Sequence, residues 1–121
     1  MILVVDDEAA IVEVIGSVLE DEGYTVATAA DGEAALDILR EATARPCLAF
    51  LDLMMPGMNG WELREAMLDD PSLASVPVVI LSAFTAGDMG SLHSVAVIQK
   101  PFQLEQIVEL AALHCPTAAS S

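Results

Sequence analysis

Ile2-Leu3-Val4-Val5-Asp6-Asp7-Glu8 sets four apolar residues, three of them β-branched, directly against three acidic ones. A run this short, with no polar alternation, fits a strand buried on both faces, as in a parallel sheet covered by helices. The acids then fall at its carboxyl end. Four further apolar runs, at residues 24–29, 47–51, 77–81 and 95–98, are separated by helix-period sequence. Ile11, Ile15, Val18 and Leu19 share one helical face, and Ala35, Ile38, Leu39 and Ala42 share another. A third helix is expected from Asn59, where Asn59 and Glu62 have capping-box spacing, through Leu63 and Met67 to a stop at Pro71. The last carries Leu104, Ile107, Val108 and Ala111 before Pro116.

Strand and helix thus alternate about five times, which predicts an α/β, doubly wound, five-stranded parallel sheet. Right-handed crossovers leave few windings, and the flavodoxin-like order 2-1-3-4-5 is the leading one. A chain of 121 residues builds one core and one domain. That domain is expected over residues 1–115, with 116–121, small and polar, as a disordered tail or the start of a linker.

Nineteen Asp and Glu stand against four Lys and Arg, a formal net charge of -15. Direct nucleic-acid binding is disfavoured, because cationic side chains must replace the phosphate counterions. Hydrophobic residues make up 55%, yet the longest apolar stretch, around residues 76–83, is far shorter than the roughly 18 residues of a membrane span. No basic segment precedes residues 2–5, so no secretory signal is expected and the cytoplasm is the default compartment. Cys47 and Cys115 lack C-x-x-C spacing and adjacent His ligands. Neither a zinc site nor a disulfide framework is suggested, and buried or partly buried free thiols are expected. His93 and His114 read as surface or helix-end residues, and Trp61, Met54, Met55 and Met58 as packing residues.

Ligands of open parallel sheets bind outside the carboxyl ends of the strands, near the point where strand order reverses. Strand one ends in Asp6-Asp7, strand three in Asp52 and strand four in Ser82, while strand five leads through Gln99 to Lys100, the only lysine. In the order 2-1-3-4-5, strands one and three are neighbours, so three carboxylates converge where their crossovers diverge. Such a cluster raises a pKa or recruits a cation, and a few carboxylates with room for water suit Mg²⁺. Asp6 or Asp7 alone could be a helix cap, and Ser82 alone a turn residue. Asp52 is harder to explain blandly, since a carboxylate ending a buried strand is costly unless paired or metal-bound. A metal-supported carboxylate beside a lysine and a hydroxyl is suited to in-line phosphoryl transfer, forming an aspartyl phosphate. No His or Glu stands out as a base for water, which favours a held phosphate over rapid turnover.

These stretches resemble the receiver domains of bacterial two-component response regulators, of the chemotaxis-regulator type. The resemblance rests on Ile2 to Glu8, Asp31-Gly32, Leu51-Asp52-Leu53-Met54-Met55-Pro56-Gly57-Met58-Asn59-Gly60, Leu81-Ser82-Ala83 and Lys100-Pro101-Phe102. It implies Asp52 as phosphoacceptor, Asp6 and Asp7 as the acidic pair for Mg²⁺, and the Met54 carbonyl as a further metal ligand. It also implies Ser82 as the hydroxyl beside the phosphate, Ala83 as the small residue that leaves access, and Lys100 as the phosphate-binding lysine, joined to Pro101 by a cis peptide. The implied protein is a cytoplasmic monomer, a signalling domain rather than an enzyme, capable only of self-phosphorylation and slow self-dephosphorylation. Its implied partners are a histidine kinase or histidine phosphotransfer protein, docking near helix one and the Lys100-Pro101 loop, and a downstream protein or an output domain.

Two departures stand out. Val97 occupies the position three before the lysine where the family usually has an aromatic. Segment 82–100 is about one helical turn shorter than the family norm and contains Gly87 and Gly90, so its helix is expected to be short or irregular. Of the competing readings, a haloacid-dehalogenase-type phosphatase requires a second acid where Met54 stands. A flavin carrier requires a phosphate-cradling loop where Asp6-Asp7-Glu8 would repel the anion. A receiver-like binding module with its signalling lost is not separated by sequence.

Overall fold

The computed structural model describes residues 1–41, 45–53, 57–82, 96–99 and 102–115, with Ser82 described by its backbone only. Strands β1 (Ile2–Val5), β2 (Val26–Ala29), β3 (Leu48–Asp52), β4 (Val78–Ser82) and β5 (Ala96–Gln99) form one parallel sheet. Its order is β2-β1-β3-β4-β5, as the crossover rules predict. Helices α1 (Ala9–Asp21), α2 (Gly32–Glu41), α3 (Gly60–Asp69) and α4 (Leu104–His114) cover it.

Alternate strand residues point to opposite faces, and this divides the core in two. Leu3, Val5, Ala49, Leu51, Val78 and Ile80 pack toward Leu36 and Leu39 of α2 and Leu63 and Met67 of α3. Ile2, Val4, Leu48, Phe50, Val79 and Leu81 pack toward Ile15 and Leu19 of α1 and Ile107 and Ala111 of α4. Every residue of β1 and β3 is buried, which is why these strands show no polar alternation. Met58, Trp61 and Val97 pack against the α2–α3 side. The expected short helix with Gly87 and Gly90, His93, Met55 and the tail 116–121 lie outside the described residues.

The helix ends follow local chemistry. Asn59 Oδ1 accepts from Glu62 N at 2.9 Å and Glu62 Oε1 accepts from Asn59 N at 3.2 Å, forming the capping box its spacing predicts. Asp31 Oδ1 accepts from Ala34 N at 2.8 Å and caps α2. At the end of α1, Gly23 takes φ 98°, with Gly23 N donating to Glu20 O and Tyr24 N to Leu19 O. That is a Schellman ending, and it draws Tyr24 into the helix stop, so β2 starts at Val26 rather than at 24. Beyond α3, Asp70 accepts from the Ser72 hydroxyl and N–H, and these two bonds hold its carboxyl below the usual range.

The cysteines correct the sequence reading. Cys47, just before β3, and Cys115, just after α4, form a disulfide with Cα atoms 5.5 Å apart at a sequence separation of 68. Spacing rules look for nearby partners; here the fold brings together two residues that the sequence keeps far apart. Closing a loop of this length restricts the unfolded chain by about 4 kcal/mol in the chain-entropy model.

Helix α1 has no acidic residue in its first turn and no basic one in its last, where Glu20, Asp21 and Glu22 face the negative end of the dipole. Asp21→Lys should therefore raise stability by roughly 0.3–1 kcal/mol, an effect that shrinks with added salt. Asn59→Ala should lower it by about 1 kcal/mol through loss of the cap. Urea denaturation at two ionic strengths measures both, and a salt-independent effect of Asp21→Lys would contradict its electrostatic origin.

Candidate functional site

The site is built by strand register. β1 and β3 pair Val5 with Leu51, so the next residues, Asp6 just past β1 and Asp52 closing β3, stand side by side at the carboxyl ends of the two strands. Asp7 follows, and carboxylate oxygens of Asp6, Asp7 and Asp52 lie within 4.8 Å of one another. Asp6 is 1% exposed and Asp52 4%, whereas Asp7 faces solvent. Asp6 Oδ1 accepts from Glu8 N at 2.9 Å, and α1 has no side-chain cap. The N-cap residue of α1, Glu8, makes no side-chain cap bond of its own. The Asp6 bond instead folds the β1–α1 turn back so that both carboxylates stay at the sheet edge.

The β3–β4 register sets Asp52 beside Leu81, and β4–β5 sets Ser82 beside Gln99. The Ser82 backbone is thus one step beyond the neighbour of Asp52, on the same edge. Met54, Ala83, Lys100 and Pro101 lie outside the described residues. The structure brings together the three carboxylates that the sequence places at strand ends, and puts Ser82 at the same edge by its backbone.

One positioning residue escaped the sequence reading as anything beyond part of a motif. A Cβ on Gly60 would lie 2.5 Å from the Asp52 carbonyl oxygen and 2.7 Å from Leu53 Cα. Gly60 N also donates to Leu53 O at 3.1 Å. The first turn of α3 therefore rests directly on the peptide that follows Asp52, with Asn59 fixing where that turn begins. Arg64, 3% exposed on the inner face of α3, was also not foreseen, because helical periodicity marks a face without saying which members are polar. Burial lowers its pKa from the ordinary value.

Asp6, Asp7, Ala9, Val12, Glu13, Thr28, Ala29 and Ala30 line a depression of about 300 Å³ beside the acids. It adjoins a groove of about 490 Å³ between α1 and β2 that shares Val12, Glu13 and Thr28. Neither lining includes a basic side chain. Three carboxylates at this spacing, open on the Asp7 side, are a hard-oxygen donor set with room for water, which fits a divalent cation of the Mg²⁺ type. Gly60→Ala should move the Asp52–Leu53 peptide at a cost of roughly 1–3 kcal/mol and weaken cation binding. Urea denaturation together with the Mg²⁺-induced shift in melting temperature checks this; wild-type values for both would show that the contact does not position Asp52.

Comparison with known proteins agrees with this geometry. The family model of the response regulator receiver domain matches residues 2–112. The DNA-binding response regulator MtrA of Mycolicibacterium paratuberculosis is 41% identical over 111 residues, covering 88% of this chain and 47% of that protein. The chain thus spans about half the length of that curated relative. Among solved structures, the chemotaxis response regulator CheY4 of Vibrio cholerae matches with a TM-score of 0.83 at 28% identity, over 93% of this chain and 95% of that one. The phosphorylated cyanobacterial phytochrome response regulator RcpA matches with a TM-score of 0.82 at 30% identity, over 97% and 94%.

Proposed function

This chain belongs to the family of response regulator receiver domains, and on that footing we propose that Asp52 is its phosphoacceptor in two-component signalling. The observation that carries the assignment is the convergence of Asp52, buried at the end of β3, with Asp6 and Asp7 just after β1. An Asp52 oxygen attacks the phosphorus of a phosphohistidine, the P–N bond breaks, and the phosphoryl group passes to the carboxylate. The donor is a histidine kinase or histidine phosphotransfer protein docking near α1 and the Lys100-Pro101 loop. Asp6, Asp7 and the Met54 carbonyl, with Asp52, would hold Mg²⁺, which when bound would offset charge on the phosphoryl oxygens. Lys100 pairs with those oxygens, Ser82 donates a hydrogen bond to one, and Ala83 leaves the approach open.

The receiver unit is residues 1–115, acting as a cytoplasmic monomer that signals by changing its contact with a protein partner or an output domain. Its own chemistry is confined to self-phosphorylation from small phosphodonors and slow self-dephosphorylation. Among the described residues no helix is long and apolar enough to cross a membrane. The charge of -15 argues against direct DNA contact by this chain, whatever the remainder of a relative such as MtrA does.

Incubation with acetyl phosphate and Mg²⁺ should add one phosphoryl group, roughly 80 Da, to the wild-type chain and none to Asp52→Asn. Asp7→Ala should reduce the Mg²⁺-induced rise in melting temperature without unfolding the domain. Labelling of Asp52→Asn at the wild-type level would overturn the assignment. A wild-type chain that stays unmodified would instead favour a binding module that has lost its signalling chemistry.

A further inference from the structure

The Cys47–Cys115 disulfide lies at the opposite end of β3 from the carboxylate cluster, and the phosphoacceptor reading makes no use of it. Along α4, Ile107, Ala111 and Cys115 form the buried seam, at positions i, i+4 and i+8, while Ala112 and Leu113 are exposed. The last turn of α4 therefore has one inward anchor beyond Ala111, and that anchor is bonded covalently to the residue before β3. Helix ends fray unless something holds them. The two residues also differ in burial, Cys115 being 2% exposed and Cys47 partly exposed.

We propose that Cys47–Cys115 is a reversible thiol–disulfide site, reduced by a dithiol, that fastens or releases the carboxyl-terminal turn of α4. A thiolate of the dithiol attacks Cys47 Sγ, the sulfur of the less buried residue. The S–S bond breaks, and its electron pair leaves on Cys115 Sγ, which takes up a proton. The second thiol of the reductant then displaces Cys47 from the mixed disulfide. In total the reductant gives up two electrons and two protons and becomes a disulfide, and the protein gains two thiols. A monothiol is the poorer reactant, because Cys115, held with its Cα 5.5 Å from that of Cys47, attacks the mixed disulfide and reverses the step. Reduction leaves the rest of the α1–α4 core in place, since Ile15, Leu19, Ile107 and Phe50 pack without the bond. The change is therefore local to the end of α4. Disulfides in reducing compartments are characteristically transient or redox-sensing, which is the behaviour this bond would show there.

The test uses the full chain purified without reductant. Maleimide labelling under denaturing conditions should find no free thiol before dithiothreitol and two after it. Hydrogen exchange should then rise at least fivefold on reduction across residues 110–115 and stay unchanged across residues 2–5. The Cys47→Ser/Cys115→Ser variant should match the reduced protein and ignore dithiothreitol. Two reactive thiols in air-oxidised protein would overturn the proposal, as would equal exchange at residues 110–115 in both states. Loss of the whole far-UV signal on reduction would also overturn it, by showing a bond that holds the entire fold. None of these readouts depends on the identity of the phosphoacceptor.

Discussion

Repulsion among the carboxylates of Asp6, Asp7 and Asp52 is the constraint that the rest of the structure answers to. With oxygens within 4.8 Å, two such charges oppose each other by on the order of 3 kcal/mol at an effective dielectric near 20. Left to themselves, the loops carrying them would open. They are held because the acids leave two neighbouring strands in which every residue is buried, so moving one carboxylate away means pulling apolar side chains out of both cores. The Asp6–Glu8 bond and the seat of Gly60 on the Asp52–Leu53 peptide remove the remaining local freedom. Rigidity and charge crowding together make a cation site, because a flexible cluster would relax instead of binding.

How much of this was legible in the sequence depends on the range of the interaction concerned. The strands, the capping box at Asn59 and the acids at strand ends depend on neighbours a few residues apart, and periodicity reports such neighbours directly. The sheet order followed because handedness rules leave few windings, and the meeting of Asp6, Asp7 and Asp52 followed from that order. The disulfide did not: Cys47 and Cys115 meet only through the packing of α4 beside the amino end of β3, a relation that no spacing rule encodes. Gly60 was visible as a residue but not as a contact, since the closeness of its backbone to Asp52 is a property of three dimensions. Arg64 shows the same gap, because helical period predicts the inner face of α3 and charge predicts exposure, and here period prevails.

The two edges of the sheet carry different kinds of constraint, and β3 joins them. Its carboxyl end concentrates like charges whose balance changes with ligands, while its amino end carries a covalent cross-link to the last helix. Charges at one edge act on the other only weakly, since five residues of strand span roughly 16 Å, about twice the screening length at physiological salt. Any influence between the edges must travel through packing, chiefly Phe50 and Leu48, which face the same core as Ile107 and Ala111 of α4.

On the proposed assignment, local charge also explains why a neutral hydroxyl belongs at the site. Before phosphorylation, a divalent cation and Lys100, the chain's only lysine, would together balance the three carboxylates. Transfer replaces the Asp52 carboxylate charge with a phosphoryl group carrying nearly two, so an excess of negative charge remains that these two cations do not cover. The other acids of this chain of net charge -15 add little beyond a screening length, and they supply no cation to correct the excess. The surplus must then fall on dipoles, and β4 ends in a hydroxyl-bearing residue, Ser82, one register step beyond the neighbour of Asp52. On that assignment a hydrogen bond from the Ser82 hydroxyl would take up part of the surplus, and it asks nothing of the residue at position 97. Val97, partly buried against the α2–α3 side, offers no polar group to share that charge.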